Sequence, residues 1–561
     1  MKRGGAGLNI LIGGEAGQGV VTVGQLLTKS LVRSGYFIVV TQSYQSRIRG
    51  GHNTFAIRVG TDEVSAPQES VDLLVALNED AAALHRGKLT PSGLILINDA
   101  YDVKDDCILK APFKELAQGR FSNIAALGVA GTLLGLNRGL MAEVLDDFFG
   151  KKKPEIAKKN REVLEASVRW AAGQATSVLQ LPEIPNATRR LMMNGNEGIA
   201  LGALSAGLRF CSFYPMTPST SIVLNLAGWA KQMGLIVEQA EDEIAAINMA
   251  IGASFAGAPS MVATSGGGFA LMGEGVSLAA MTETPIVVVI AQRPGPATGL
   301  PTRTEQGDLE FVLHAGHGEF PRAIFAPGTV EECFYLTRRA FKLAERCQCP
   351  IFLLTDQFLA DSYRSVMPLD IESSPPVRVS SEVVESLPYK RFAITENGVS
   401  PRLLPGTSEH LIVADSDEHT EDGHITEDLS VRTLMVKKRL RKGTWIDSEV
   451  IPPDMQGEKK PDFLLVSWGS SKGAVKEAAS RLRSGGKRVA TLHFSQVWPL
   501  MPEQFMTKLE EARQVVCIES NATGQMARLI RRETGFQIEN KVLRYDGLPL
   551  TPESILRGLT H

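Results

Sequence analysis

Four short motifs carry residues able to do chemistry, and each follows an apolar run. They are Tyr214-Pro-Met-Thr-Pro-Ser-Thr220, Glu241-Asp-Glu243, Ser265-Gly-Gly-Gly268 and Gln292-Arg293. Glu243 opens an Ala-rich helical segment. A helix N-terminus stabilises a carboxylate with no function required, and a working acid or base could stand there too. Glu241, two residues earlier and before the helix, is the rival carboxylate. Arg293 ends a fully apolar strand and precedes Pro-Gly-Pro. A desolvated guanidinium needs an anion, which either a ligand carboxylate held bidentately or a structural salt bridge would supply. Thr217 reads as a helix N-cap with Pro218 as first helical residue. Ser265 and Gly266 begin a turn that lets backbone approach a flat ligand, or that is only tight.

The elements that must position these residues are legible as apolar runs at 208–214, 260–264, 286–290 and 349–355, with a short strand at 236–239. None alternates, as expected of strands buried on both faces of a parallel sheet. All four motifs then sit at C-terminal strand ends, where open α/β sheets bind ligands. The helix after Thr217 adds unpaired N–H groups suited to a carboxylate or phosphate. The N-terminal part repeats the construction. A strand at 8–12 enters the loop Gly13-Gly-Glu-Ala-Gly17-Gln-Gly19, and a helix runs on to about 32. This could cradle a phosphate through Gly17 and Gly19, or be a packing turn; it is neither Gly-x-Gly-x-x-Gly nor a Walker loop. The next strand, 36–40, leads to Arg47 and Arg49, an anion contact or a solvated loop. Strands at 72–76 and 94–98 are expected to run parallel. The fold class is α/β, with several doubly wound, mostly parallel sheets.

A chain of 561 residues is too long for one core. We expect an α/β domain at 1–175, a linker at 176–190, a second α/β domain at 191–365, an irregular connection at 366–460 and a last α/β domain at 461–561. A net charge of −3 argues against a nucleic-acid partner. No run approaches the ~18 apolar residues of a membrane span, and the expected location is the cytoplasm. The six cysteines lack Cys-x-x-Cys spacing, so no metal or cluster site is expected on this chain. His314 and His317 receive no role. The basic run from Arg432 to Arg441 reads as an exposed helix, and Glu519 and Asn521 as interface groups.

With its motifs in this order, the chain resembles the α subunit of 2-oxoacid:ferredoxin oxidoreductases, with the family's γ subunit fused in front. The carrying residues are 214–220, Glu-Asp-Glu-Ile-Ala-Ala (241–246), Ala-Thr-Ser-Gly-Gly-Gly (263–268) and Gln-Arg-Pro-Gly-Pro-Ala-Thr-Gly-Leu-Pro-Thr (292–302). The Glu243, Ala246, Ala250, Gly252 spacing is similar to pyrimidine-binding domains of thiamine diphosphate enzymes. The resemblance implies three domains: Rossmann-like γ, pyrimidine-binding and transketolase C-terminal-like. It implies that Glu243 meets the aminopyrimidine and favours the tautomer that takes the thiazolium proton. It implies that Thr217, Arg293 and Thr302 hold the 2-oxoacid. Tyr214, Pro215, Ser265 and Gly266 would contact the cofactor, and Gly17, Gly19, Arg47 and Arg49 coenzyme A. The nearest match to a diphosphate-site Gly-Asp-Gly is Gly307-Asp-Leu309, which lacks the closing glycine. Thiamine diphosphate would therefore be shared with a β subunit that carries the Mg2+ and an iron–sulfur cluster, in an α2β2 assembly served by ferredoxin. The implied reaction is oxidative decarboxylation of a 2-oxoacid to its acyl-CoA, with 2-oxoglutarate favoured over pyruvate and branched-chain acids. A non-redox transketolase-like enzyme is the other reading.

Overall fold

The computed structural model describes residues 7–44, 51–119, 121–150, 154–174, 179–185, 187–372, 375–377, 379 and 388–560. The chain forms two compact units. The first draws on residues 1–193, 361–369 and 551–557, and the second on 194–360, 370–550 and 558–561.

The first unit is built on one sheet. Its strands are β1 (Leu8–Glu15), β2 (Phe37–Ser43), β3 (His52–Gly60), β4 (Val71–Ala76), β5 (Leu89–Asn98), β6 (Ile108–Ala111) and β7 (Leu191–Met193), plus the short strand Arg364–Val366. The order is β6-β5-β4-β1-β3-β2-(364–366)-β7. β1, β4, β5 and β6 are parallel, as expected. From β3 onward every pairing is antiparallel. The departure has a simple cause: residues 44–51 are too few for a crossover helix, so β2 and β3 must pair as a hairpin. The helix Val20–Arg33 seals one face with Val23, Leu26, Leu27 and Leu31. The helix Ser122–Leu133 is buried along most of its length. Gly17 and Gly19 have φ of 97° and 87°, and Gly19 is the uncapped start of the helix Val20–Arg33. Arg47 and Arg49 fall outside the described residues.

The second unit contains two sheets. The larger has β8 (Phe210–Phe213), β9 (Ile236–Gln239), β10 (Ser260–Thr264), β11 (Ile286–Gln292), β12 (Ala323–Phe325) and β13 (Pro350–Asp356). Its order is β12-β13-β11-β10-β8-β9, all parallel, with Gln496–Trp498 antiparallel at the β12 edge. The chain leaves β8 for β9 on one side and returns to β10 on the other. That reversal opens a crevice at the C-terminal ends of β8 and β10. β10, β11 and β13 are buried at every position, which accounts for their unbroken apolar sequence. The smaller sheet has strands 463–468, 489–494, 514–519 and 540–543 in parallel, with Asp454–Gly457 antiparallel at its edge. The fold is thus mixed α/β with several mostly parallel sheets.

The basic run is exposed along most of its helix, as expected, but one side of it is not. It lies on the helix Leu429–Arg441, and Lys438, Arg439 and Lys442 are all buried. Lys438 and Lys442 both donate to the Glu283 carboxylate, at 2.5 and 2.9 Å, and Arg439 grips Glu418. One side of the helix is polar because its partners are inside, while Arg432, Lys437 and Arg441 face water. Among the described residues no helix is long and apolar enough to cross a membrane.

Candidate functional site

The crevice at the C-terminal edge of the larger sheet gathers the motif residues of the second unit. Glu243 is the first residue of the helix Glu243–Phe255, and Asp242 caps that helix by accepting from the Ala245 N–H at 2.7 Å. The cap fixes where the helix begins, and so where Glu243 points. Ser212 on β8 donates to the Ala246 carbonyl and ties this helix turn to the sheet. Glu243 is 3% exposed, and its Oε1 is buried with no hydrogen-bond partner among the described residues. A buried carboxylate oxygen without a donor is costly unless something else completes it. Glu241, the rival, is exposed.

After β10 the chain turns through Ser265 into the short helix Gly266–Phe269. The glycines are required by close approach. A Cβ on Gly268 would lie 2.5 Å from Glu243 Oε1 and 2.3 Å from Thr264 Oγ1. A Cβ on Gly266 would lie 2.4 Å from Asp308 Oδ2. One glycine turn is therefore pressed between two carboxyl groups, Glu243 on one side and Asp308 on the other. Ser265 Oγ and Asp308 Oδ2 are, like Glu243 Oε1, buried and without partners.

Arg293 follows the last residue of β11 and is half-buried. Its Nη1 donates to the Thr217 carbonyl at 2.6 Å, which joins the ends of β8 and β11. Thr217 is not an N-cap. The Ser219 hydroxyl donates to the Met216 carbonyl, and Asn196 Nδ2 donates to the Pro218 carbonyl at 2.8 Å. These bonds close a separate turn, so the helix begins only at Thr220. Tyr214 and Pro215 are exposed on the rim, with Tyr214 at 40%, while Thr302 is buried. Arg293, Thr217, Glu243, Ser265 and Gly266 thus come from the ends of adjacent strands of one sheet.

Sequence reasoning missed three participants. Asn196 is fully buried under the Thr217–Pro218 turn, and the signal was its place in Asn-Gly-Asn-Glu-Gly, the capped first turn of the helix Gly195–Ser205. Gln292 accepts from the Asp308 N–H at 2.9 Å and so tethers Asp308 to the end of β11. In the sequence Asp308 stands out only as part of Gly307-Asp-Leu309, an incomplete diphosphate-site motif. Burial, reinforced by Glu305, raises its carboxyl to about 6, against the pull of Arg293. Glu519 and Asn521 prove to be internal groups. Glu519 accepts from Trp468 Nε1, Asn521 Nδ2 and the N–H groups of Met526 and Ala527. His314 meets Arg532 and lies apart from these groups.

Two family signatures match the chain. "Pyruvate ferredoxin/flavodoxin oxidoreductase" covers residues 9–170, and "Pyruvate flavodoxin/ferredoxin oxidoreductase, thiamine diP-bdg" covers 201–438. The 2-oxoacid:ferredoxin oxidoreductase subunit alpha of a Sulfolobus species is 30% identical, across 98% of this chain and 96% of its own. The 2-oxoglutarate oxidoreductase subunit KorA of Mycobacterium tuberculosis is 29% identical, across 93% of this chain and 86% of its own. Among solved structures, the 2-oxoglutarate:ferredoxin oxidoreductase of Magnetococcus marinus, with 2-oxoglutarate, coenzyme A and succinyl-CoA bound, superposes with a TM-score of 0.93. It is 30% identical and is covered to 99%, as is this chain. The chain belongs to the 2-oxoacid:ferredoxin oxidoreductases, as an α subunit that carries a thiamine diphosphate-binding domain.

Proposed function

We propose that this subunit, paired with a β subunit, decarboxylates 2-oxoglutarate oxidatively with coenzyme A, giving the acyl-CoA, CO2 and reduced ferredoxin. The observation that carries the proposal is the Glu243 carboxylate, buried at the C-terminal edge of a parallel sheet with one oxygen unanswered. An aminopyrimidine nitrogen is a group that could answer it. The Ser265–Gly268 turn fits the same ring, because its glycines leave no side chain between backbone and ligand. The residues present therefore fit thiamine diphosphate. When bound, that cofactor supplies the nucleophilic carbon and the electron sink that decarboxylation needs.

The chain's own residues do the rest. Glu243 would hold a proton at the pyrimidine ring, in a place shielded from water. Tyr214 and Pro215 on the rim and Ser265 and Gly266 below would bound the cofactor. Arg293 offers a guanidinium to the substrate carboxylate, with the Thr217 and Thr302 hydroxyls as further contacts. Gly17, Gly19, Arg47 and Arg49 would meet coenzyme A in the first unit. The β subunit would bring the diphosphate site, Mg2+ and an iron–sulfur cluster in a cytoplasmic α2β2 complex. That division is supported by the missing Gly-Asp-Gly motif and the missing Cys-x-x-Cys spacing. The choice of 2-oxoglutarate is supported by the relatives named for it.

The test is anaerobic reduction of methyl viologen by the co-purified αβ complex, given thiamine diphosphate, Mg2+, coenzyme A and a panel of 2-oxoacids. Reduction that requires coenzyme A and is fastest with 2-oxoglutarate is expected. Preference for pyruvate or a branched-chain acid would correct the substrate. No reduction from a complex shown to hold cofactor and cluster would overturn the activity.

A further inference from the structure

The loop that carries Asp308 is held with unusual care for a segment outside any strand. Gln306 and Ser520 bond backbone to side chain and backbone to backbone, at 2.9 and 2.6 Å. Gln306 Nε2 donates to the Trp468 carbonyl at 2.8 Å, Asn521 Nδ2 to the Gln306 carbonyl at 3.1 Å, and Gln525 Nε2 to the Gly307 carbonyl at 2.7 Å. Glu519 in turn fixes Asn521. The buried polar residues of the smaller sheet thus clamp the approach to Asp308, while Gln292 tethers its N–H to β11. All this order delivers a carboxyl whose Oδ2 has no donor among the described residues, against Gly266, whose neighbour Ser265 has a hydroxyl that is likewise unpartnered. A carboxyl placed so firmly and left unsatisfied is not explained by packing.

Among the described residues two charges act on it. Glu305 on the same loop repels its ionised form, and Arg293 at the end of β11 attracts it. The Ser265–Gly268 turn packed against it contributes no charge, and neither does Gln292. Arg293 is thus in the field of Asp308, and a substrate carboxylate bound to Arg293 would be in it too.

We infer that Asp308 is a positioning residue that takes up one proton when an anionic 2-oxoacid binds, so that Arg293 neutralises the substrate rather than Asp308. This rests on Arg293 as the carboxylate contact. A second anion beside Asp308 disfavours its ionised form and favours the neutral one. The proton comes from solvent, forms the O–H bond of the acid and returns to solvent when the anion leaves. By linkage, substrate affinity then falls as pH rises above the value at which the empty site's Asp308 ionises, about 6. Only the protonated site receives the anion without a penalty.

The test uses the αβ holocomplex and, as probe, 2-hydroxyglutarate, which keeps the carboxylate and lacks the reactive carbonyl. Calorimetric titrations at pH 7 in two buffers of different ionisation enthalpy should report uptake approaching one proton per site. Asp308→Asn should abolish the uptake. In steady state, the wild-type KM for the 2-oxoacid should rise about tenfold per pH unit above neutrality. The Asp308→Asn KM should stay flat and lie below wild type at pH 8. Buffer-independent binding to wild type, or unchanged uptake in Asp308→Asn, overturns the inference. The wild-type titration decides even if the variant fails to fold. Arg293→Met separates the two readings: if the probe binds it as tightly as wild type, Arg293 is not the contact. If Arg293→Met loses the probe while wild type binds it without proton uptake, only the Asp308 inference falls.

Discussion

Two buried carboxyl groups in the second unit have opposite surroundings. Glu283 is 0% exposed and receives Lys438 and Lys442 at once, while Arg391 bonds the carbonyls of Glu283 and Thr282. Burial alone would raise its pKa, but Lys442, Lys438 and Arg391 outweigh burial and bring it down to about 2. The cations share one anion, so burial, with Lys442 and Arg391 beside it, lowers Lys438 to about 8 despite Glu283. Asp308 has, among the described residues, Arg293 as its one opposing charge, a buried oxygen without a donor and a pKa raised to about 6. Glu243 likewise keeps a buried oxygen with no partner. In the first place polarity is closed upon itself and holds the chain together. In the second it is left open, which fits a ligand. Glu283 and Gln348 also both adopt left-handed backbone, at φ 48° and 45°, which the closed network holds in place.

The comparison can be broken most sharply at Glu243. Glu243→Gln should lower viologen reduction by at least ~100-fold, with an unchanged oligomer and a melting temperature equal to or above wild type. Retained activity would remove Glu243 from the chemistry. Glu283→Gln should do the reverse. It leaves buried cations uncompensated and should cost about 3–5 kcal/mol, read as a fall in denaturant midpoint. The turnover of the folded fraction should be near wild type. A midpoint within error of wild type would show the network to be dispensable.

Acid titration sharpens the same contrast. Glu283 is depressed in the fold, so its contribution is full above its unfolded pKa near 4.5 and is lost as pH falls toward 2. Asp308 is raised, so its contribution is full below its unfolded value of 3.8 and is lost as pH rises through about 6. Glu283→Gln should flatten stability between pH 4.5 and 2, and Asp308→Asn between 3.8 and 6, with slopes of opposite sign. The smallest expected effect is at the cap. Asp242→Ala should cost about 1 kcal/mol and lower kcat more than it raises KM, because it loosens the turn that aims Glu243. An unchanged kcat would show that the helix start does not position the carboxylate.

What the sequence disclosed follows from the range of the forces. Apolar runs that end in polar motifs exposed β8, β10 and β11, and with them the neighbourhood of Glu243, Ser265 and Arg293. The start of the helix after Thr217 was misplaced because a serine-closed turn and a distant asparagine compete with the cap. The buried side of the basic helix was not legible because the counterion of Lys438 lies 155 residues away, and no local pattern shows that. Asp308 was not legible because the local pattern around it is only an incomplete diphosphate-site motif. Its significance lies in what is absent around it in space.

The strand Arg364–Val366 has a consequence in time. β2 meets β3 on one side, while on the other the Val40 N–H bonds to the Tyr363 carbonyl and the Ser362 hydroxyl to the Val40 carbonyl. The ribosome supplies those partners roughly 300 residues after β2, which is about 15 s or more at ~20 residues per second. For that interval a nascent chain holds an open strand edge, the kind that recruits the wrong partner. Synthesis rate and chaperone supply should therefore govern the yield of this protein more than its final stability does. A fragment ended near residue 175 would keep that edge open permanently.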